Sequence, residues 1–321
     1  MKTIDLSWAK YHNWKKRFGQ PNNHNGKIPR DFWLEDWEIQ AIIDFKHDHM
    51  AEGYKRLTYM MMYQDIVAVS PSTSYRVLRN AGLTSRWNNK KLSSKGNGFV
   101  QPLKSHEHWH MDISYINFRG SHLFLISVLD GYSRFVVHHQ VRTHMQEYDV
   151  ELVLQQALEK YPNEKPRIIT DNGSQFIAND FKAFLRQVNL IHVRTSVNYP
   201  QSNGKIEAFH KNIKSECIRQ TSFLNPQEVH DKVADYIHHY NNIRLHSGIN
   251  YITPYDMLCG KSNTIFKERD RKLEMARKKR RLNNQMKKVS KTNSESFFDR
   301  IPSQKSRRGK DEKTQKLAYF N

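Results

Sequence analysis

The chain has 321 residues, with 52 Lys and Arg against 32 Asp and Glu, a formal net charge of +20. An excess of this size favours a polyanionic partner, nucleic acid rather than a membrane surface, since no amphipathic anchor or lipidation signal is evident. No apolar run reaches transmembrane length, the start lacks a signal-peptide core, and two cysteines, Cys217 and Cys259, support neither a disulfide framework nor a Cys-containing zinc finger.

In chain order, Trp8, Tyr11, Trp14 and Phe18 recur at three- and four-residue steps and predict a first helix with an aromatic side able to pack. Pro21, Asn22, Asn23, Asn25, Gly26 and Pro29 then read as a linker. Between Leu34 and Leu83 a trihelical unit is expected. Ile39, Ile42 and Ile43 form one apolar face, and Leu57, Met60 and Met61 form another after Gly53. Ser70 and Pro71 make an N-cap and N1 pair, Val77 and Leu78 face inward, and Gly82 supplies the stop. This is a helix-turn-helix pattern. It leaves Ser72, Ser74, Tyr75, Arg76 and Arg79 outside, a set suited to phosphates and base edges in a major groove. Arg86, Lys90, Lys91 and Lys95 then lie among Ser, Asn and Gly, as in a basic linker.

A second region reads as strands and helices in alternation. Residues 109–116 form a strand pattern interrupted by Asp112, a residue depleted from strands and costly to bury. Residues 123–129 and 135–141 make two further strands, joined by the turn Asp130-Gly131-Tyr132-Ser133-Arg134. Val150, Val153, Leu154, Ala157 and Leu158 give a helical stripe. An apolar strand then ends at Asp171, and residues 176–188 and 191–195 supply a helix and a strand. The stretch 196–203 lacks periodicity. After it, Ile206, Phe209 and Ile213 form the buried stripe of a helix that carries Glu207, Lys211 and Lys214 on one side. Another helix covers 229–240. Residues 267–288, with eleven Lys or Arg against three acids, form a helix-compatible basic arm, and 289–321 reads as a poorly ordered tail.

Thirty-five residues lie between Asp171 and Glu207. Three carboxylates drawn together raise one another's pKa unless a cation neutralises them, and oxygen-only ligation suits Mg²⁺ or Mn²⁺. Two such ions can stabilise the attacking and leaving oxygens of phosphoryl transfer. Asp130 competes with Asp112 for the first position, although the residue before Gly131 is most simply a turn Asp. His106, His108 and His110 alternate along the strand entry and could bind zinc, but a pairing or surface role is the simpler reading without a fourth ligand.

Asp112, Asp171 and Glu207, with Thr170-Asp171-Asn172-Gly173-Ser174-Gln175-Phe176 and Pro200-Gln201-Ser202-Asn203-Gly204-Lys205-Ile206-Glu207 around them, resemble the Asp, Asp, thirty-five, Glu pattern of insertion-sequence transposases and retroviral integrases. The likeness continues through Tyr240-Asn241-Asn242-Ile243-Arg244-Leu245-His246-Ser247 and Thr253-Pro254 and spans roughly Glu107 to Gly260. The chain departs from retroviral integrases in lacking their two-His, two-Cys zinc module, so the resemblance is to the bacterial branch. It also has Ala208 where relatives often carry Arg after the Glu.

The resemblance implies an α/β ribonuclease H-like core, a mixed five-stranded sheet flanked by helices, preceded by an all-α helix-turn-helix domain. The expected division is a helical remnant and linker over 1–30, the helix-turn-helix over 31–84, a basic linker over 85–105, the integrase-like core over 106–260, and a basic arm and tail over 261–321. It further implies a metal-dependent polynucleotidyl transferase with Asp112, Asp171 and Glu207 as catalytic metal ligands for two Mg²⁺ or Mn²⁺ ions. Ser72, Ser74, Tyr75, Arg76, Arg79, Lys205, Lys211 and Lys214 are then expected to meet double-stranded DNA, both element ends and target. A homo-oligomer, at least a dimer, is expected on DNA, in a bacterial cytoplasm at the nucleoid. A non-catalytic DNA-binding relative and a metal-dependent nuclease on the same fold are the alternatives.

Overall fold

Polar caps, prolines and left-handed residues set the ends of the elements in this computed structural model. It describes residues 7–19, 29–84, 101–195 and 203–298, with side chains through 290. The linker segments expected over 20–28 and 85–100, most of the aperiodic loop (196–202) and the tail from 299 lie outside the described residues. Contacts divide the chain into a unit of Met1–Asp36 with Glu274–Asn321 and a larger unit, Trp37–Leu273.

In the first unit α1 (Trp8–Arg17) buries none of its residues. Among the described residues the expected aromatic packing is not made: Trp8, Trp14 and Phe18 are exposed, and Trp8 stacks on His12 one turn along the same helix. Further along the chain, Asn283 donates to a Glu35 carboxylate oxygen at 2.6 Å, Asn284 to the Trp33 carbonyl at 3.0 Å, and Lys288 pairs with Asp31.

The larger unit begins with the helix-turn-helix: α2 (Asp36–Asp48), α3 (Tyr54–Tyr63) and α4 (Pro71–Asn80). Ile42, Leu57, Met61 and Leu78 are fully enclosed. Ser70 caps α4 by accepting from the Thr73 amide, and Pro71 sits where a missing N–H costs nothing. At the other end Leu83 N–H reaches the Leu78 carbonyl while Gly82 adopts φ +73°, a left-handed stop.

Five strands follow: β1 (His108–Phe118), β2 (Ser121–Asp130), β3 (Val136–Arg142), β4 (Arg167–Thr170) and β5 (His192–Arg194). They are ordered β3-β2-β1-β4-β5. The first three are antiparallel, with Asp112 opposite Ser127. Arg119 and Gly120, both at positive φ, form the two-residue hairpin between β1 and β2 that right-handed strand twist favours. β4 joins β1 in parallel, and β5 joins β4 in parallel. A parallel return needs a crossover, here α5 (Glu147–Lys160), opened by a capping box between Gln146 and Asp149.

The helices α6 (Ser174–Ile177) and α7 (Asn179–Gln187) connect β4 to β5, and α8 (Gly204–Glu216), α9 (Pro226–Asn242) and α10 (Pro254–Leu258) complete the core. Trp109, Met111, Ile126 and Val128 pack with α5 and α7, while Ile116, Leu123, Leu125 and Leu129 pack with α8 and α9. Helices cover both sheet faces, and this is the ribonuclease H-like arrangement.

The last helix, α11 (Ser262–Phe298), runs well past the arm expected at 267–288 and includes residues read as tail. No Gly or Pro interrupts the chain between Gly260 and Pro302, so nothing local stops the helix. Within the larger unit, buried Arg269 bonds the Asn250 carbonyl at 2.7 Å and stacks over Tyr59, and Arg56 of α3 bonds the Leu245 carbonyl at 3.0 Å.

Candidate active site

β1 carries a polar row on the face that meets α8. Trp109 and Met111 turn into the α5 side of the core, so the alternating positions His110, Asp112 and Ser114 turn the other way. Asp112 is half-buried. One of its oxygens accepts from the Ile113 amide at 2.9 Å, and the other lies 3.3 Å from Nδ1 of His210.

Asp171 follows the last residue of β4, where the backbone leaves the sheet. Its Oδ1 accepts from the Gly173 amide at 2.9 Å, and a Cβ at Gly173 would stand 3.1 Å from that oxygen. Glycine thus allows the tight approach that fixes the carboxylate. Glu207 rises from the first turn of α8 and is exposed.

Asp171 and Glu207 both sense the charge of Asp112. Burial pushes the Asp171 carboxyl above its ordinary range, the Gly173 amide opposes this, and the Asp112 charge adds to it. Glu207 is raised by burial and by the charges of Asp112 and Asp171, against a lowering by His210. Among the described residues no group of three His, Cys, Asp or Glu side chains stands close enough to hold a metal ion. The donor set nevertheless fits a hard divalent cation. It consists of carboxylate oxygens alone, and their shared repulsion is what such a charge relieves.

His210 completes this arrangement and has no counterpart among the sequence expectations. It is buried on α8, three residues beyond Glu207, and its Nε2 lies 2.7 Å from Oγ of Ser127, itself fully buried opposite Asp112. With a hydrogen on Nδ1 the ring donates toward Asp112, and Nε2 shares the other hydrogen bond with the Ser127 hydroxyl. The imidazole thus ties the helix that bears Glu207 to the strand that bears Asp112. Its position inside the arc of Ile206, Phe209 and Ile213 was the available signal.

Asp130, the rival of Asp112, is fully buried and accepts from the His106 amide and from the Ser133 amide and hydroxyl, at 2.8, 2.7 and 2.6 Å. It is the turn acid. His106 takes the Trp109 indole hydrogen at 3.2 Å, while the His110 ring packs beside Gly131 and burial pushes it down to about 3.

Of the expected DNA-facing residues, Ser72, Tyr75, Arg76, Arg79 and Lys211 are exposed and Lys214 is half-exposed. Two expectations need correction. Ser74 is fully buried, because it lies one turn before Leu78 on the inward stripe of α4. Lys205 is half-buried and donates to the Gly131 carbonyl at 2.8 Å; burial and the neighbouring Arg134 push its ammonium down to about 7.

Comparison with known proteins finds similarity that centres on the core. The integrase core domain family matches residues 102–200, and a second integrase core domain family matches 189–254. A putative integrase of Spiroplasma virus SpV1-C74 is 39% identical over 104 residues, which are 29% of this chain and 29% of that protein. The transposase for insertion sequence element IS904 of Lactococcus lactis is 28% identical over 183 residues, 54% of this chain and 72% of that one. The chain thus spans under a third of the first relative and about seven-tenths of the second. Among solved structures, the simian T-cell lymphotropic virus intasome aligns over 66% of this chain and 72% of that chain, at 16% identity and a TM-score of 0.46. Residues 102–200 and 189–254 thus match integrase core domain families, and the chain is similar to transposases of bacterial insertion sequences.

Proposed function

We propose that this protein binds the terminal inverted repeats of a mobile DNA element, cleaves its ends and joins each 3′-hydroxyl to target DNA. The observation that supports the reading is that Asp171 and Glu207, each raised first by burial, are both raised further by the charge of Asp112, although the three acids lie far apart in sequence. Repulsion of this kind is a liability in a merely structural cluster and an asset in one that receives cations. A pair of Mg²⁺ or Mn²⁺ ions at these carboxylates would supply charge neutralisation for both the attacking and the leaving oxygen of an in-line displacement.

The residues themselves position and neutralise. Asp171 is oriented through Oδ1 by the Gly173 amide and would offer its carboxylate to a cation from that fixed position. His210 and the Ile113 amide hold Asp112, which limits how far it can swing. Lys211 and Lys214, one and two turns after Glu207, track the DNA phosphates. Arg76 and Arg79 of α4 read the element end, and Ser72 and Tyr75 contact its backbone. At least two copies are needed to hold two ends together.

The test is a strand-transfer assay with duplexes cut from the DNA that flanks the reading frame, in Mg²⁺ or Mn²⁺. Asp112→Asn, Asp171→Asn and Glu207→Gln should each lower joining by about a thousandfold or more, several kcal/mol of lost transition-state stabilisation, while binding of the end persists. Cleavage without joining by the unsubstituted protein would leave the nuclease reading instead. Undiminished joining by all three variants would remove the acids from the chemistry.

A further inference from the structure

The helix-turn-helix and the core fall in one unit, and a buried cation holds them to each other. Arg269 lies two turns into α11. Its Nη1 donates to the Asn250 carbonyl at 2.7 Å, and its Nη2 reaches the Tyr251 carbonyl and the Tyr63 hydroxyl. The guanidinium also stands 4.1 Å from the centre of the Tyr59 ring. One side chain of α11 thus grips α3 of the helix-turn-helix and the 250–251 turn of the core together. A guanidinium is costly to bury unless its donors are met, and its planar fork and stacking face meet three acceptors and a ring at once, which an ammonium cannot.

The backbone is shaped for this grip. Asn250 and Tyr251 stand at φ +59° and +58°, two successive left-handed residues, neither of them glycine, a conformation that costs energy and persists only where its surroundings enforce it. Both of their carbonyls accept from the same guanidinium. The Tyr251 ring stacks on Tyr59 with centroids 5.3 Å apart, and Arg56 and Lys272 add bonds to the Leu245 and Met62 carbonyls at 3.0 and 2.9 Å. Packed elements lead away from the grip on both sides. Toward the recognition helix, α3 meets α4 through the Tyr54 and Tyr75 rings, 5.1 Å apart. Toward the acids, Arg244 is buried next to Leu245 and bonds Glu216 at 2.8 Å, at the end of the helix whose first turn carries Glu207.

We infer that Arg269 is a positioning residue: it fixes α4 against the core, so that the bond presented to the three acids lies a set distance from the base pairs that α4 holds. The inference rests on the proposed function for its task and on the contacts above for its geometry. Such a task needs precision, because displacing a reacting bond by about 1 Å can cost about a hundredfold in rate.

The experiment uses the full chain with Arg269→Ala, Arg269→Lys and, because loss of a buried cation can unfold a protein, Tyr251→Gly, which removes the stacked ring while relieving the left-handed backbone. Melting curves confirm that each variant is folded. One spin label on Cys259, exposed in the core, and a second on Asn80→Cys, exposed at the end of α4, report the separation of the two parts by double electron–electron resonance, with Cys217 buried and out of reach. The unsubstituted chain should give one narrow distance and Arg269→Ala a broad one. On a duplex carrying the element end, Arg269→Ala should bind within about twofold of the unsubstituted chain, yet cut about tenfold more slowly and at several neighbouring positions. Arg269→Lys should recover little, since a charge alone would serve a phosphate contact but not the grip, and Tyr251→Gly should err in the same direction by less. A folded Arg269→Ala with the same narrow distance, or with the same single cut at the same rate, would overturn the inference and leave the proposed function intact. A broadened distance in a protein whose unsubstituted form cuts no element end would keep the grip and remove the proposed function.

Discussion

Helices α4 and α8 both present basic residues outward, but they differ in what their inward sides do. The inward side of α4 holds Leu78 and Ser74, which only pack. That of α8 holds Ile206, Phe209 and Ile213 and also His210, whose imidazole bridges Ser127 and Asp112. α4 is thus a platform whose chemistry is all on the outside, whereas α8 carries part of its chemistry in the core. The same kind of substitution should therefore have opposite readouts on the two helices.

The sharpest form of that contrast is His210→Ala. It should lower joining by roughly ten- to a hundredfold, the usual cost of losing a group that orients a ligating side chain, while end binding stays unchanged. His210→Asn, which keeps a donor and an acceptor, should recover part of the loss. Unaltered joining by His210→Ala would make the residue a packing element and erase the difference between the helices. On α4, Arg76→Ala combined with Arg79→Ala should cost about tenfold on the element end and less on random duplex, read by competition binding. Equal losses on both would assign these arginines to phosphates alone.

Much of this was legible beforehand, and the reasons are local. Asp112 stood out because an acid is costly in a strand pattern, Asp171 and Glu207 through the motifs around them, and the strand runs and the helix between them through their periodicity, while the mixed five-stranded sheet was implied by the resemblance. Ser70, Pro71 and Gly82 marked the ends of α4 by backbone chemistry that needs no tertiary context. Ser74 was misplaced because a small hydroxyl side chain fits either face of a helix and carries no periodic signal. Lys205 was misplaced for a different reason. Whether its ammonium reaches solvent or the Gly131 carbonyl depends on a turn seventy-odd residues earlier in the chain. The tyrosine and carbonyl cage around Arg269 joins residues more than two hundred positions apart, beyond any local pattern.

A smaller effect separates the two regions by pH. Burial pushes His139 down to about 4 and His246 down to about 3, the latter helped by Arg244, Arg134 and Arg56, and both belong to the ribonuclease H-like core. Their folded values lie below the unfolded value of about 6.5, so the fold prefers the neutral rings. Their contribution is fully present above about pH 6.5 and is lost as pH falls toward the folded values. At pH 5.5 this amounts to about 1 kcal/mol per ring. The melting temperature should drop between pH 7.5 and 5.5 at constant ionic strength, and His246→Asn should flatten that drop. A pH-independent melt would mean that these imidazoles are hydrated in the folded state.

The central claim is that three distant carboxylates form a receptor for divalent ions, and Mn²⁺ titration followed by electron paramagnetic resonance of the free ion tests it most directly. The account predicts saturable binding by the unsubstituted chain, weakened about tenfold or more by any one of Asp112→Asn, Asp171→Asn or Glu207→Gln, each variant remaining folded. Equal affinity and stoichiometry in the triple variant would contradict it.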